Sequence, residues 1–347
     1  MRTSVVFKKL VRFFQVSQGS LQSSYVLCLA VVLASNPLQA GVTRSQSVQL
    51  KKGWNAVHLE VSPSDADPAK VFAGTPIDVV ARYFRLITSV EFIASPDDAA
   101  WKREGWGVWY APDREDTFLT DLHAIQGNQT YLIHSKEDHL WSVSGTVRHT
   151  RRVWHHDSYN LVGFSVDPAS PPTFAQLFEG AGAEIGQKIY RLQDGKWVKV
   201  LSPASTRVRS GEAFWTFCSG RTDFQGPIDL DLPGSGELDF GSRSQGLTIR
   251  WALNNSASGG LQVGFAPGSG APFPIRRVQR DLSTLTETAP LLGSGHGFGA
   301  DGARSGKFVL MVRQEDLGES EEGALLRFSD GKGCVEWVPV SVTSDSD

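Results

Sequence analysis

An internal repeat is the feature of this sequence that most constrains its fold. The segment Trp54–Pro63 aligns without gaps on Tyr159–Pro168, about 105 residues later. After the shared proline, each copy has a short run with the apolar spacing of a helix, ending at Gly74 in the first copy and at Gly180 in the second. Glycine in that position is typical of a helix C-cap. The repeat therefore predicts two copies of one small module.

Alternating apolar residues within each copy predict β-strands. In the first copy Val57, Leu59 and Val61 fall on one face of an extended chain, and His58 and Glu60 fall on the other. The remaining strands are predicted at Val79–Leu86, Trp106–Tyr110, Gln129–Ser135 and Leu140–Val147 in the first copy, and at Lys188–Leu192, Lys196–Val200, Glu212–Cys218 and Pro227–Leu230 in the second. Each copy is predicted to be a β module of about five strands with one short helix.

A change of pattern after Pro233–Gly236 predicts a linker and then a third domain. The predicted strands there are Leu238–Phe240, Leu247–Asn254, Leu261–Ala266, Pro274–Asp281, Phe308–Gln314, Gly323–Ser329 and Val335–Val342. Their number and spacing favour an immunoglobulin-like β-sandwich. The predicted fold is therefore all-β, with modules at residues 41–148 and 149–232, the sandwich at 237–342 and a disordered tail at 343–347.

The first forty residues are typical of a signal peptide. Basic residues precede the apolar run Tyr25–Ala34, and the small residue Ala40 follows it. The alternative is an uncleaved membrane anchor, but this run spans only about 15 Å of a hydrocarbon core roughly 30 Å thick. We expect cleavage after Ala40, export to the periplasm, cell surface or medium, and no stable membrane span in the mature chain.

Only two cysteines remain once Cys28 is removed with the signal peptide. Cys218 and Cys334 form either one disulfide, which an exported protein permits, or two buried thiols. Both lie in predicted strands, where cysteine commonly acts as a small buried hydrophobic residue. We therefore expect both thiols to be free.

Three motifs carry a resemblance to a known group of proteins. They are Lys52–Val57, Tyr159–Phe164 and Ser329–Gly333. The chain resembles uncharacterised exported bacterial proteins that are built from repeated GWN-type β modules followed by an immunoglobulin-like sandwich domain. The resemblance covers most of the mature chain. It implies an exported location and an all-β architecture, and no activity is attached to the group.

Composition and motif content exclude several functions. The formal net charge of −3 argues against a broad nucleic-acid surface. The sequence has no nucleophile elbow, no zinc-protease helix and no phosphate-binding lysine loop. We therefore predict no catalytic residue, no metal, no cofactor and no nucleic-acid partner.

The weaker motifs have ordinary explanations. Gly297–Gly302 fits a dinucleotide-binding string, but a strand follows where a helix is needed, so a flexible glycine loop is expected. His155 and His156 are adjacent and point to opposite faces of an extended chain, which favours a polar connector over a metal site. Turn-forming or solubilising roles are expected for the acidic groups Asp65/Asp67, Asp97/Asp98, Asp113/Glu115/Asp116, Asp229/Asp231 and Glu319/Glu321/Glu322.

An aromatic cluster is the candidate binding surface. Trp101, Trp106, Trp109 and Tyr110 fall within ten positions. Exposed aromatic rings stack on sugars or peptide partners, whereas buried ones fill the core of a small β domain. Both interpretations fit the spacing, because Trp106 and Trp109 face opposite sides of a regular strand.

These observations predict an exported, non-enzymatic interaction or structural protein with an extracellular polysaccharide or a protein as its partner. One alternative is a carbohydrate-binding protein that uses the aromatic cluster. A second alternative is an extracellular hydrolase that uses the acidic loops or His155 and His156.

Overall fold

The computed structural model describes residues 42–84, 105–182, 184–234, 236–241, 245–256, 260–267, 274–279, 287–291, 295–299, 302–312 and 322–342. Across these residues the regular secondary structure is almost entirely β-strand, with two short α-helices, so the all-β prediction is confirmed. Neither helix is long and apolar enough to cross a membrane. The predicted signal peptide, Cys28, Trp101 and the predicted tail lie outside the described residues.

Residues 43–146 form two sheets that contribute to one apolar core. The strands are β1 (Thr43–Leu50), β2 (Gly53–Leu59), β3 (Ser62–Pro63), β4 (Ile77–Tyr83), β5 (Trp106–Tyr110), β6 (Gln129–Ser135) and β7 (His139–Thr146), with helix α1 at Pro68–Val71 and a 3-10 turn at Thr117–Leu119. The strand orders are β1-β7-β3 and β2-β6-β4-β5. Phe72 lies at the centre of this core, with its ring centroid 5.3 Å from those of Trp109 and Trp141.

Residues 158–218 form a second four-stranded sheet. Its strands are β8 (Ser158–Gly163), β9 (Ile189–Gln193), β10 (Lys196–Lys199) and β11 (Ala213–Cys218), and helix α2 spans Phe174–Leu177. Its strand order is β8-β11-β9-β10. In this sheet, as in β2-β6-β4-β5, the first strand along the chain lies at one edge and is followed by the fourth, the second and the third. Asp194 and Gly195 adopt positive φ angles of 48° and 74° in the β9–β10 hairpin, as this dipeptide predicts.

An asparagine closes the turn before the first strand of each four-stranded sheet. Asn55 accepts the Lys51 backbone N–H at 2.9 Å and donates to the Lys51 and Gly53 carbonyl oxygens at 2.8 and 3.0 Å. Asn160 makes the matching three bonds in its own turn, at 2.9, 3.0 and 3.0 Å. The asparagine in the motif Trp-Asn or Tyr-Asn therefore fixes the entry of the chain into the sheet.

Replacing either asparagine by alanine is expected to destabilise the fold by a similar amount. Asn160→Ala removes three side-chain bonds to the backbone, and Asn55→Ala removes the three matching bonds and a longer fourth one, 3.4 Å to the Ile133 carbonyl oxygen. At about 1 kcal/mol per bond, each variant should lose roughly 2–3 kcal/mol of unfolding free energy in a urea titration. Asn254→Ala, which removes a 2.8 Å bond to the Gly226 carbonyl, is the control. Losses no larger than the control's would contradict this role.

The remaining strands form two five-stranded sheets that share one core. They are β12 (Ile228–Asp231), β13 (Leu238–Asp239), β14 (Gln245–Leu253), β15 (Leu261–Phe265), β16 (Ile275–Gln279), β17 (Glu287–Pro290), β18 (His296–Phe298), β19 (Ser305–Val312), β20 (Glu322–Ser329) and β21 (Val335–Val342). The orders are β12-β14-β19-β16-β17 and β13-β21-β20-β15-β18. Ile249 and Leu310 of one sheet and Phe328 and Val338 of the other are fully buried in that core.

The strand expected to close the second module belongs to this sandwich instead. Pro227–Leu230 was predicted as the last strand of residues 149–232, but β12 pairs antiparallel with β14, with Leu230 opposite Trp251. That prediction is wrong because the alternation of Ile228 and Leu230 specifies a half-buried strand without specifying its sheet. The chain therefore enters the sandwich before the predicted linker at Pro233–Gly236.

The glycine-rich segment around Gly297 is also not a loop throughout. His296–Phe298 forms β18 and pairs antiparallel with β15. The Phe298 ring stacks on Phe308 with centroids 4.1 Å apart, which explains why this segment pairs in spite of its glycines. The prediction of a flexible loop is therefore wrong for these residues.

The turn between β20 and β21 contacts the segment that follows β8. The Val335 N–H donates to the Ser165 carbonyl at 3.1 Å, and the Asp167 N–H donates to the Gly333 carbonyl at 2.9 Å. Gly333 has a φ of 103°, and a Cβ atom there would lie 2.0 Å from the Ser170 carbonyl oxygen. The motif Ser329–Gly333 is thus a docking segment, and only glycine fits its last position.

Cys218 and Cys334 are buried and do not form a disulfide with each other, as expected. Cys218 ends β11, and Cys334 precedes β21 and pairs with Val166 in an isolated bridge. Burial, with a contribution from Asp330, raises the pKa of the Cys334 thiol well above its ordinary value. This thiol is therefore protonated and unreactive at neutral pH.

Candidate functional site

The aromatic cluster lies in the interior and not on the surface. Trp106, Trp109 and Tyr110 are only 8%, 6% and 7% exposed. Trp109 packs on Phe72 in the first core, whereas Trp106 and Tyr110 point to the opposite face of β5. Of the two interpretations of the sequence, the surface one is wrong for these three residues and the core one is correct, because both faces of their strand are covered. Trp101 lies outside the described residues.

The second layer over β5 comes from the other four-stranded sheet. Trp106, Tyr110 and Trp54 share one apolar cluster with Trp197 and Trp215 of β10 and β11. The Trp215 ring lies 6.0 Å from that of Tyr83 and 6.1 Å from that of Trp197. The two four-stranded sheets are therefore joined face to face through tryptophan and tyrosine side chains.

Two further contacts join the sheets at the ends of β2 and β8. His58 packs directly on Gly163, since a Cβ atom at Gly163 would lie 2.2 Å from the His58 Cβ. The Ser165 side chain lies close enough to the Glu60 carboxyl to lower its pKa. In the repeat alignment His58 is the counterpart of Gly163, and Glu60 is the counterpart of Ser165. Each of these residues thus contacts its own counterpart.

A polar cavity of about 360 Å³ lies beside these contacts. It is bounded by both four-stranded units, by the connector between them and by β21. Its volume falls in the lower part of the range of small-molecule sites, roughly 300–1,000 Å³. The polar or charged residues that line it are His58, Glu60, Asn128, Gln129, Thr130, Arg148, His149, Thr150, Arg151, Arg152, Ser165, Gln225 and Glu336.

The two cavity histidines have ring nitrogens without hydrogen-bond partners. The Nδ1 atom of His58 and both ring nitrogens of His149 are buried and unbonded within the described residues. His149 Nδ1 lies 3.5 Å from the Glu336 carboxylate, beyond good hydrogen-bond distance. Burial, with a smaller effect of Arg152, lowers the pKa of His58 to about 3. His58 is therefore neutral at ordinary pH.

Two carboxylates, those of Glu60 and Glu336, line the same cavity, and Glu60 is the more buried. Glu60 is 2% exposed and accepts a 2.5 Å bond from Arg44. Burial raises the pKa of the Glu60 carboxyl, although Arg44 acts in the opposite direction. The Arg44 guanidinium also lies 4.3 Å above the Trp337 ring of the sandwich. All three parts of the fold thus meet at Glu60 and its partners.

Arg152 supplies a cation to the cavity. Its guanidinium donates to the Gln225 carbonyl at 2.6 Å and to the Gly163 carbonyl at 2.9 Å, and it lies 3.8 Å from the Phe164 ring centroid. Burial lowers the pKa of this guanidinium, with Glu336 acting in the opposite direction. The group remains charged, because an arginine pKa starts far above the physiological range.

The neutrality of His58 predicts a pH effect on stability. Its pKa is about 3 in the folded protein and near 6.5 in the unfolded chain, so between these values the unfolded chain binds more protons. The unfolding free energy is therefore highest, with respect to His58, above pH 6.5, and it decreases as the pH falls from 6.5 towards 3. Urea titrations should show that wild-type stability falls faster than that of His58→Gln, by up to about 1.4 kcal/mol per pH unit. Parallel pH curves would contradict a neutral buried His58.

The other sequence candidates do not form a site. The His156 side chain is 59% exposed and contacts only the neighbouring Asp157, at 3.2 Å, among the described residues. The described acidic candidates mostly form ion pairs near the surface: Asp65 with Lys70, Asp113 with Lys136, Asp116 with Arg114, Asp229 with Arg151, and Asp231 with Arg250. Within the described ranges, no group of three metal-ligating side chains converges.

His58 and Glu60 were not candidates in the sequence. Alternation placed His58 and Glu60 on the outer face of a half-buried strand, and the second module then covers that face. A signal is nevertheless present in the repeat, where the second copy has Gly163 and Ser165 at the two positions. No protein-family model and no curated protein matches this sequence, so its function is inferred from the residues of the cavity.

Proposed function

We propose that this is an exported, non-enzymatic binding protein whose polar cavity takes a small molecule. In this proposal, two copies of a GWN-type module associate within one chain as a homodimer does between chains, and an immunoglobulin-like sandwich closes the site. Contacts between counterparts such as His58 and Gly163 are expected near a two-fold axis. The matching strand orders of the two four-stranded sheets support the same view.

The observation that carries this proposal is the unsatisfied polar lining of the cavity. Buried polar groups in folded proteins are bonded in the large majority of cases, and an unbonded one costs roughly 1–3 kcal/mol. Three ring nitrogens of His58 and His149 lack partners within the described residues. These unbonded nitrogens are explained if a ligand, or ordered water around it, supplies the missing hydrogen bonds.

A binding role fits the residues better than a hydrolytic one. A general base needs a pKa near the working pH, but His58 is held at about 3. Glu60 is engaged by Arg44 at 2.5 Å. The described lining of the cavity contains one hydroxyl group each from Ser165, Thr130 and Thr150 and no cysteine. The described groups therefore recognise and orient a ligand.

Native mass spectrometry of the purified protein tests this function. The protein is incubated with a mixture of small acids, sugars, amines and nucleosides, and the bound mass is recorded. Thr150→Trp narrows the cavity from its exposed rim, whereas Leu201→Trp adds the same ring at a site that is 83% exposed and outside the cavity lining. We expect one bound molecule in wild type and Leu201→Trp and none in Thr150→Trp. No bound molecule from any class, or equal binding by all three proteins, would contradict the proposal.

A further inference from the structure

Arg152 differs from the neighbouring arginines in the partners of its guanidinium. Both of its side-chain hydrogen bonds go to backbone carbonyl oxygens, and its third contact is the Phe164 ring. A guanidinium has five N–H donors, so three are not used by these bonds. No carboxylate of the described residues lies within 4.0 Å of it. The side chain is partly buried, and a cation that is partly removed from water gains from an anionic partner.

Other arginines near this cavity are paired with carboxylates of the protein. Arg191 forms a two-pronged pair with the Glu212 carboxylate at 2.8 and 2.6 Å, and both side chains are less than 10% exposed. Other arginines nearby also contact carboxylates: Arg44 with Glu60, Arg151 with Asp229, and Arg327 with Asp167. Each of these arginines has a carboxylate of the protein as its partner. At Arg152 that position is open to the anionic group of a ligand.

The charges around the cavity limit that anion to a single negative charge. Glu60 and Glu336 line the same cavity, and both repel a second negative charge. The lining also holds Arg148, which is exposed, and Arg151, which is paired with Asp229, so three arginines and two glutamates leave one formal positive charge, which we assign to the contact at Arg152. A phosphate ester would bring two negative charges to a lining that offers one positive charge. A carboxylate brings one, and its two oxygens match the planar fork of a guanidinium.

We propose that the cavity binds a small organic acid with one carboxylate, which contacts Arg152, and with hydroxyl or amide groups that contact the neutral lining. His58, Ser165 and Gln129 are among the neutral groups that can make the second contact. This inference rests on the binding function proposed above and names its ligand class. A cavity of about 360 Å³ limits the acid to the size of a sugar acid or smaller.

Calorimetric titrations with matched compounds test this ligand class. The probes are D-galacturonate, D-galactose and D-galactose 6-phosphate, which differ only at the terminal carbon, and lactate beside lactamide. We expect at least one carboxylate to bind at least about tenfold more tightly than its neutral and phosphorylated counterparts. A neutral or phosphorylated probe that binds as tightly as its carboxylate would overturn the inference.

Variants separate the ligand class from the binding function. Arg152→Gln should weaken the carboxylate at least tenfold and leave a neutral probe unchanged, whereas Arg250→Gln, 73% exposed and paired with Asp231, should change neither. If Arg152→Gln does not fold, Glu336→Gln still tests the charge balance, because it should tighten carboxylate binding. Unchanged carboxylate affinity in either cavity variant contradicts the inference. Neutral binding that Thr150→Trp blocks would leave the binding function intact and remove only the ligand class.

Discussion

Gly163→Ala is expected to cost this protein about 3 kcal/mol or more of unfolding free energy, a large part of the stability of an ordinary domain. The added Cβ would lie 2.2 Å from the His58 Cβ and 3.0 Å from the Glu212 carbonyl oxygen. Neither neighbour can retreat easily, because the His58 N–H is bonded to the Gly211 carbonyl at 2.8 Å. Urea or thermal unfolding of the two proteins measures the loss.

A double variant identifies His58 as the cause of that loss. In a His58→Gly background, Gly163→Ala should cost at least about 1 kcal/mol less, because the Cβ and Cγ atoms of His58 that the new methyl group meets are both gone. Gly107→Ala is the control, since the one close contact of its Cβ would be the partly exposed Phe84 side chain at 2.8 Å, with Leu122 at an ordinary 3.7 Å. Equal costs of Gly163→Ala in both backgrounds would show that the two modules do not meet through this pair.

Trp106→Ala is expected to be the second severe change, with a loss of about 3–5 kcal/mol. The side chain is 8% exposed and lies between the sheets, with its ring 5.2 Å from that of Tyr83. Its removal opens a cavity in the layer that joins the two modules. The expected result is a lower unfolding free energy and a lower midpoint of thermal unfolding, measured by circular dichroism.

Phe118→Ala is the matched control for this variant. Phe118 is 80% exposed, so its loss should change the unfolding free energy by less than about 0.5 kcal/mol. A Trp106→Ala protein with wild-type stability and lost sugar binding would contradict the buried position of the ring. It would instead support the surface role that the sequence left open.

The strands of this protein were predictable where alternation was strong. Trp106–Tyr110, Gln129–Ser135 and Val335–Val342 have the bounds that the sequence predicted. Strand β1 was missed because its first half, Thr43–Ser47, is polar and only Val48 and Leu50 mark its inner face. The pairing of β12 with β14 was also beyond the sequence, because an apolar period predicts a strand and not its neighbour.

The candidate site was less predictable than the fold for a related reason. A sequence reports which face of one strand is apolar, and it placed His58 and Glu60 on the polar face of β2. Burial of that face depends on how two modules pack, which is a property of two distant segments. The same difficulty applied to Trp106, whose outer face is covered by residues about a hundred positions later. The repeat was the available signal for both.

The most direct test of the binding cavity is a spectrum of the histidine rings. The chain has eight histidines, and long-range proton–nitrogen spectra report each imidazole separately. When the compound selected by mass spectrometry is added, we expect the ring signals of His58 and His149 to move. Those of His156 and His134, which lie outside the cavity lining, should remain in place. Movement confined to histidines outside the cavity would contradict the account.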